Sequence, residues 1–110
     1  LLERQNFSPN FVSDRVRLVP GWLEDTLPKI STNIALLHID VDLHDSYLTV
    51  LNNLYDQVVS GGVIAFDEYK SPWDLDRFPG ASVAIDSFFS GLPGEIERDP
   101  HVMKWFYVKP

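Results

Sequence analysis

The chain is expected to fold as an α/β domain built on a parallel sheet, and three features of the sequence predict this. Two short runs, Ile34–Asp40 (IALLHID) and Gly62–Phe66 (GVIAF), are almost continuously apolar, as strands buried on both faces of a parallel sheet must be. Between them, apolar residues recur at Leu48, Leu51, Leu54/Tyr55 and Val58, which is helical spacing. A strand–helix–strand unit of this kind pairs its strands in parallel through a right-handed crossover.

The other elements follow in order. Arg15–Val19 (RVRLV), β-branched with interleaved charges, reads as a strand closed by the turn Pro20-Gly21. The helix after the first apolar strand is placed over Asp45–Val59. Asp45 or Ser46 is expected to cap it, because their side-chain oxygens accept from free first-turn N–H groups. Gly61-Gly62 is expected to stop it, since glycine accepts the left-handed conformation at a helix end. Tyr69–Pro79, rich in Pro, Trp and Asp, reads as a long loop before a helix from about Gly80 to Ser90. That helix turns Ala81, Ala84/Ile85 and Phe88 inward and is broken by Pro93-Gly94. Glu95–Arg98 and Lys104–Lys109 (KWFYVK) form a terminal hairpin with Asp99-Pro100-His101 at its bend. The Phe88-Phe89 and Trp105-Phe106-Tyr107 clusters belong to the core.

Composition narrows the function. A chain of 110 residues that is 45% hydrophobic and 13% aromatic has material for one packed core and is too apolar for disorder. Sixteen acidic residues against nine basic ones leave a net charge of -7, which argues against binding nucleic acid or an anionic membrane and favours a cationic partner such as a metal. No run approaches the roughly 18 apolar residues of a membrane span. With no cysteine, disulfides, thiolate zinc and cysteine nucleophiles are excluded. No signal-peptide pattern is visible, and a cytoplasmic location is expected.

The chemistry points to acids. Ligands of open parallel sheets sit outside the carboxyl ends of the strands, and here both apolar strands end in acid, at Asp40-Val41-Asp42 and Asp67-Glu68. If these strands are neighbours, about 4.8 Å apart, Asp40, Asp67 and Glu68 converge on one ion. Carboxylates so close repel and take up protons unless a cation neutralises them. A hard divalent ion such as Mg²⁺, bound through oxygen, answers that need. Asp42, two residues beyond Asp40, is then a spare carboxylate available as a general base. His38, alternating with Leu36 and Asp40, is expected to be a hydrogen-bonded core histidine, and His44 a loop residue that could assist proton transfer. Ser46 lacks the setting of a nucleophile. The turn Pro20-Gly21-Trp22-Leu23 offers an aromatic that could cover a nucleobase. Trp73 and Phe78 either cover a ligand or pack their loop down.

In order along the chain, GWLEDTLP (Gly21–Pro28), LLHIDVDLHDSY (Leu36–Tyr47), Leu54-Tyr55, SGGVIAFDEY (Ser60–Tyr69) and PGASVAIDSFF (Pro79–Phe89) resemble the C-terminal half of the macrocin O-methyltransferase family. These enzymes use S-adenosylmethionine and a metal to methylate sugar hydroxyls on natural products. The resemblance implies part of a class I methyltransferase (Rossmann-like) sheet of order 3-2-1-4-5-7-6. Arg15–Val19 would be strand 3, Ile34–Asp40 strand 4, Gly62–Phe66 strand 5, and the hairpin strands 6 and 7. Residues Leu1–Ser13 resemble the helix leading into strand 3, so the chain 1–110 would be the C-terminal part of one methyltransferase domain. Strands 1 and 2, with their glycine-rich loop and ribose-binding acid, would lie outside it. By the same resemblance Asp40, Asp67 and Glu68 hold Mg²⁺, and Asp42 takes the proton from the sugar hydroxyl. Gly21, Trp22 and Leu23 line the adenine pocket, with Asp40 also on the cofactor side.

Two positions differ from the family pattern. Glu68 stands where the family often has a second aspartate, and His44 where it usually has tyrosine. The sequence leaves two other readings open: a nucleotide-sugar glycosyltransferase using Asp40-Val41-Asp42, and a non-catalytic α/β module with an acidic rim. Lacking strands 1 and 2, the isolated 110 residues are expected to bind cofactor poorly and to self-associate through an unpaired strand edge.

Overall fold

Two neighbouring parallel strands form the centre of the molecule. They are β1 (Ile34–Ile39) and β2 (Val58–Phe66), with Leu37 opposite Ile64 and Ile39 opposite Phe66. The computed structural model describes residues 6–110. Before β1 come two short helices, α1 (Pro9–Arg15) and α2 (Leu23–Thr26). Helix α3 (His44–Leu54) and a 3-10 turn over Tyr55–Gln57 connect β1 to β2. Helices α4 (Pro72–Arg77) and α5 (Pro79–Phe89) precede the antiparallel hairpin β3 (Ile96–Arg98) and β4 (Trp105–Val108). The sheet order is β1-β2-β4-β3, with β4 antiparallel to β2. The mixed α/β class and the strand–helix–strand unit are thus those expected, and the hairpin falls on the two expected segments.

One face of the sheet carries the core. Ile39, Ile64, Phe66 and Tyr107 point to that side and meet Tyr47 and Leu51 of α3 and Ala84, Ile85 and Phe89 of α5. Phe89 locks the layer, with its ring centroid 4.5 Å from that of Tyr107 and 5.6 Å from that of Phe66, both inclined as aromatic pairs prefer. Alanine at 81 and 84 lets α5 lie close to α3. The inward face of α5 differs from expectation in one place, where Phe89 is buried and Phe88 only partly so.

Four expectations are corrected. Arg15–Val19 is not a strand: Arg15 ends α1, and the residues after it run free of any sheet with Leu18 87% exposed. A strand needs a ladder partner, and none lies beside these residues among those described. Of the helix expected over Leu1–Ser13, residues 1–5 lie outside the described residues, and the helical part begins at Pro9 behind a Ser8 cap. The central helix ends at Leu54 rather than Val59, so Gly61-Gly62 lies inside β2. There the register jumps, Ile34 opposing Val58 while Leu36 opposes Val63, and Gly61 takes φ +81° within that irregularity. Its N–H donates to the Lys109 carbonyl at 2.7 Å, tying the bulge to the chain after β4. Lastly, β1 is not buried on both faces: Leu36 is 64% exposed and His38 is exposed too, because no described element covers that side.

Gly62 marks the tightest point of the bulge. A Cβ there would sit 2.7 Å from Val58 Cγ1 and 2.8 Å from the Val59 carbonyl. Gly62→Ala is expected to destabilise the fold by about 1–3 kcal/mol, the usual cost of overpacking. Chemical denaturation should show a lower midpoint with an unchanged slope.

Candidate active site

The acids at the strand ends meet because β1 and β2 are neighbours. The Asp67 N–H donates to the Ile39 carbonyl at 2.9 Å, so the pairing continues one residue beyond the ladder. Beyond that point both chains turn away from the sheet. The β1 chain does so in a γ-turn, with the Leu43 N–H donating to the Val41 carbonyl at 2.6 Å and Asp42 at φ +64°. A left-handed aspartate costs on the order of 1 kcal/mol or more. The turn also delivers the Asp42 N–H to Glu68 Oε1 at 3.2 Å. Asp40, Asp42 and Glu68 each present an oxygen within 4.8 Å of the others, and this is the only such acidic cluster among the described residues.

Asp67 stands apart from the three. Its carboxylate pairs with Lys104 at 3.3 Å and lies 3.7 Å from His38 Nε2, while the Lys104 ammonium also donates to the Asp67 carbonyl. His38 is therefore no core histidine: it lies on the uncovered face of β1, beside Asp67. Period-two alternation sends neighbouring side chains to opposite faces, so Asp67 and Glu68 point different ways.

Glu68 is the buried member, 2% exposed. Burial pushes its carboxyl up to about 8, with the Asp42 and Asp40 carboxylates adding to the shift and Tyr47 opposing it. Tyr47, fully buried in the first turns of α3, closes the site from below. Its hydroxyl accepts the Glu68 N–H at 3.3 Å, lies 3.1 Å from the Ile39 carbonyl, and lies 2.5 Å from Glu68 Oε2. One phenolic proton cannot serve two acceptors. When Glu68 is protonated the conflict vanishes: Glu68 donates to Tyr47, and Tyr47 donates to Ile39. When Glu68 is ionised, Tyr47 donates to it, and the Ile39 carbonyl still holds the Asp67 N–H. The Tyr47 hydroxyl itself is raised by burial, so it remains a donor at physiological pH. Sequence reading missed Tyr47. The available signal was a tyrosine, instead of an aliphatic residue, on the apolar face of the helix that follows the acids.

Asp45 and Ser46 do not cap α3. The N-cap is Leu43, with no side-chain bond, and Asp45 Oδ1 lies 2.7 Å from His44 Nδ1. Gly21, Trp22 and Leu23 form a separate turn: Gly21 has φ +131°, Trp22 is the exposed N-cap of α2, and Leu23 packs toward the core. The expected loop 69–79 holds α4. Ser71 caps it, accepting the Asp74 N–H at 3.0 Å and donating to Asp74 Oδ2 at 2.6 Å; the same oxygen accepts the Tyr69 N–H at 3.2 Å. Buried Asp74 thus fixes α4 to the chain that leaves Glu68. Phe78 packs against the core, whereas Trp73 is 61% exposed.

Comparison with known proteins identifies the family. The macrocin O-methyltransferase (TylF) family model matches residues 3–88. Demethyldecarbamoylnovobiocin O-methyltransferase of Streptomyces niveus is 40% identical over 68 residues, covering 60% of this chain and 26% of that protein. Mycinamicin III 3''-O-methyltransferase of Micromonospora griseorubida is 34% identical over 71 residues, covering 63% of this chain and 28% of that protein. The structure of the O-methyltransferase NovP superposes with a TM-score of 0.72 at 27% identity, covering 91% of this chain and 42% of that one. The apo structure of CalS11, a TDP-rhamnose 3'-O-methyltransferase, gives 0.71 at 24% identity, covering 92% and 46%, a likeness of fold. The chain spans about a quarter of the length of the curated relatives it matches. Among the described residues no helix is long and apolar enough to cross a membrane. With the family model covering most of its length, the chain belongs to the macrocin O-methyltransferase family.

Proposed function

We propose that the protein to which this chain belongs transfers a methyl group from S-adenosylmethionine to a hydroxyl of a sugar on a small natural product, with Mg²⁺ in the acidic site. The observation that carries this reading is the convergence of Asp40, Asp42 and Glu68 at the ends of β1 and β2 in a member of this family. Family membership favours methyl transfer over glycosyl transfer or mere binding. We read the chain as the C-terminal part of one methyltransferase domain, with β1, β2, β3 and β4 as strands 4, 5, 6 and 7.

The donor set suits a hard divalent ion: all oxygen, mutually repelling, with one member too buried to ionise easily alone. Asp40 and Glu68 would hold it. The third ligand would be Asp67, whose side chain would have to turn from the Lys104 side toward the cluster and give up an exposed pair of the kind worth only about 0–1 kcal/mol. When bound, Mg²⁺ supplies Lewis-acid polarisation and orientation of the acceptor hydroxyls. Asp42, held by its γ-turn and its N–H bond to Glu68, takes the hydroxyl proton as general base. Tyr47 keeps Glu68 in place beneath the site. Gly21, Trp22 and Leu23 would line the adenine pocket, the exposed Trp22 indole covering the base and Asp40 lying on the cofactor side.

The test is transfer of labelled methyl from S-adenosylmethionine to a panel of deoxysugar glycosides by the full-length protein. The expected result is label in an acceptor with Mg²⁺ present and none after EDTA treatment. Failure to bind S-adenosylmethionine, together with no transfer to any acceptor, would overturn the reading.

A further inference from the structure

Helix α4 and the turn into α5 form one wall of a cavity of about 380 Å³ whose other wall is the start of α3. Asp42, His44, Asp45, Arg77 and Phe78 are among its lining residues. If Asp42 meets the acceptor hydroxyl, as proposed above, the remainder of the acceptor lies in this cavity, and the inference rests on that reading. Arg77 is the one Lys or Arg among the described residues lining it. Its guanidinium lies 3.8 Å from the ring centroid of Trp73, one helical turn earlier.

That arrangement is unusual for so acidic a chain. Asp42 and Asp45 share the cavity, and Asp74 and Asp76 share the helix, yet Arg77 pairs with no carboxylate among the described residues. Stacking on Trp73 holds the guanidinium flat and leaves its in-plane N–H edge open. This edge matches carboxylate and phosphate in a two-point contact. A neutral hydroxyl would need no permanent charge, and the uncharged Ser46 also lines the cavity.

We propose that Arg77, laid on Trp73, is a specificity residue that accepts an anionic oxygen group, phosphate or carboxylate, carried by the acceptor beside the hydroxyl that Asp42 serves. The test is equilibrium binding to the full-length protein, which needs no turnover. The probes are dTDP-glucose, glucuronic acid and methyl glucoside, measured on the unaltered protein and on Arg77→Ala, Arg77→Lys and Trp73→Leu.

At least one charged probe is expected to bind about tenfold or more tighter than methyl glucoside. Arg77→Ala should cost that probe about 10–100-fold, the range for hydrogen bonds to charged groups, and leave the neutral probe unchanged. Arg77→Lys should restore part of the loss, and Trp73→Leu should lie between. Preference for dTDP-glucose marks a phosphate-bearing acceptor, and preference for glucuronic acid marks a carboxylate. Equal binding of charged and neutral probes, no measurable binding of either charged probe, or charged-probe binding unaffected by Arg77→Ala would each overturn the inference. Methyl transfer is scored separately. An Arg77-dependent preference with neither S-adenosylmethionine binding nor transfer retains this inference and sinks the proposed activity, and transfer without the preference does the reverse.

Discussion

Asp42→Asn in the full-length protein is expected to lower turnover by about 10²–10⁴-fold, the usual contribution of a positioned general base. The substitution is unusually clean here. Asp42 sits at φ +64°, a conformation that asparagine tolerates as well as aspartate does, whereas alanine would add strain of its own. The Asp42 N–H bond to Glu68 is a main-chain bond and survives. Charge and basicity are therefore lost while backbone and network remain, and thermal stability should be unchanged or slightly higher because a like charge leaves the cluster. The measurement is kcat against KM for S-adenosylmethionine, with a melt as control. A fall in kcat at constant KM for the methyl donor fits a base, and retention of kcat would remove Asp42 from the chemistry and leave it as part of the metal set. Asp42→Gly provides the complementary control, since it relieves the strain and should lose activity all the same.

How far the site could be read from sequence depended on the kind of signal each residue carries. The acids at two apolar strand ends were legible because an Asp-x-Asp and an Asp-Glu after continuous hydrophobic runs are local patterns, and parallel pairing of the strands follows from the helix between them. Which acids would cluster was not legible. Asp67 and Glu68 are adjacent, so they point apart, and which of them faces the cluster is visible only in the fold, where Glu68 bonds buried Tyr47 and Asp67 pairs with Lys104, far away in sequence. Asp42 enters the cluster only through a positive φ, and nothing in the order of residues announces a γ-turn. The same limit explains the fold errors. Arg15–Val19 has strand composition, but β propensity needs a neighbour to act on. Gly61-Gly62 looks like a helix stop, yet glycine serves equally well in a bulge, and the 3-10 turn over Tyr55–Gln57 had already ended the helix.

Removing the Glu68 charge should abolish the loss of stability that this carboxyl imposes on the metal-free protein as pH rises. The carboxyl titrates near 4.5 when exposed and is pushed up to about 8 in the fold, first by burial. Below about 4.5 it is protonated in both folded and unfolded chains, so it makes no pH-dependent contribution there. Between the two values the unfolded chain releases the proton and the folded chain keeps it, so folding stability falls as pH rises. The slope approaches about 1.4 kcal/mol per pH unit and levels off above about 8. Across that window the loss is on the order of a few kcal/mol. Glu68→Gln mimics the protonated carboxyl, so its stability should match the unaltered protein near pH 5 and exceed it near pH 9. The difference between the two curves cancels the contributions of all other groups. Mg²⁺ should act unequally on the two proteins. It stabilises the ionised carboxylate, so the unaltered protein gains stability with Mg²⁺ as pH approaches 8 and releases close to one proton per ion bound at pH 7, measurable by calorimetry in buffers of different ionisation enthalpy. In Glu68→Gln the affinity for Mg²⁺ should fall by about 10²-fold or more, beyond the roughly 10–100-fold that losing a partner outside the coordination sphere costs. Identical pH curves for the two proteins would show that the Tyr47–Glu68 pair carries no trapped proton, and proton release that persists in the variant would assign it to another acid of the cluster.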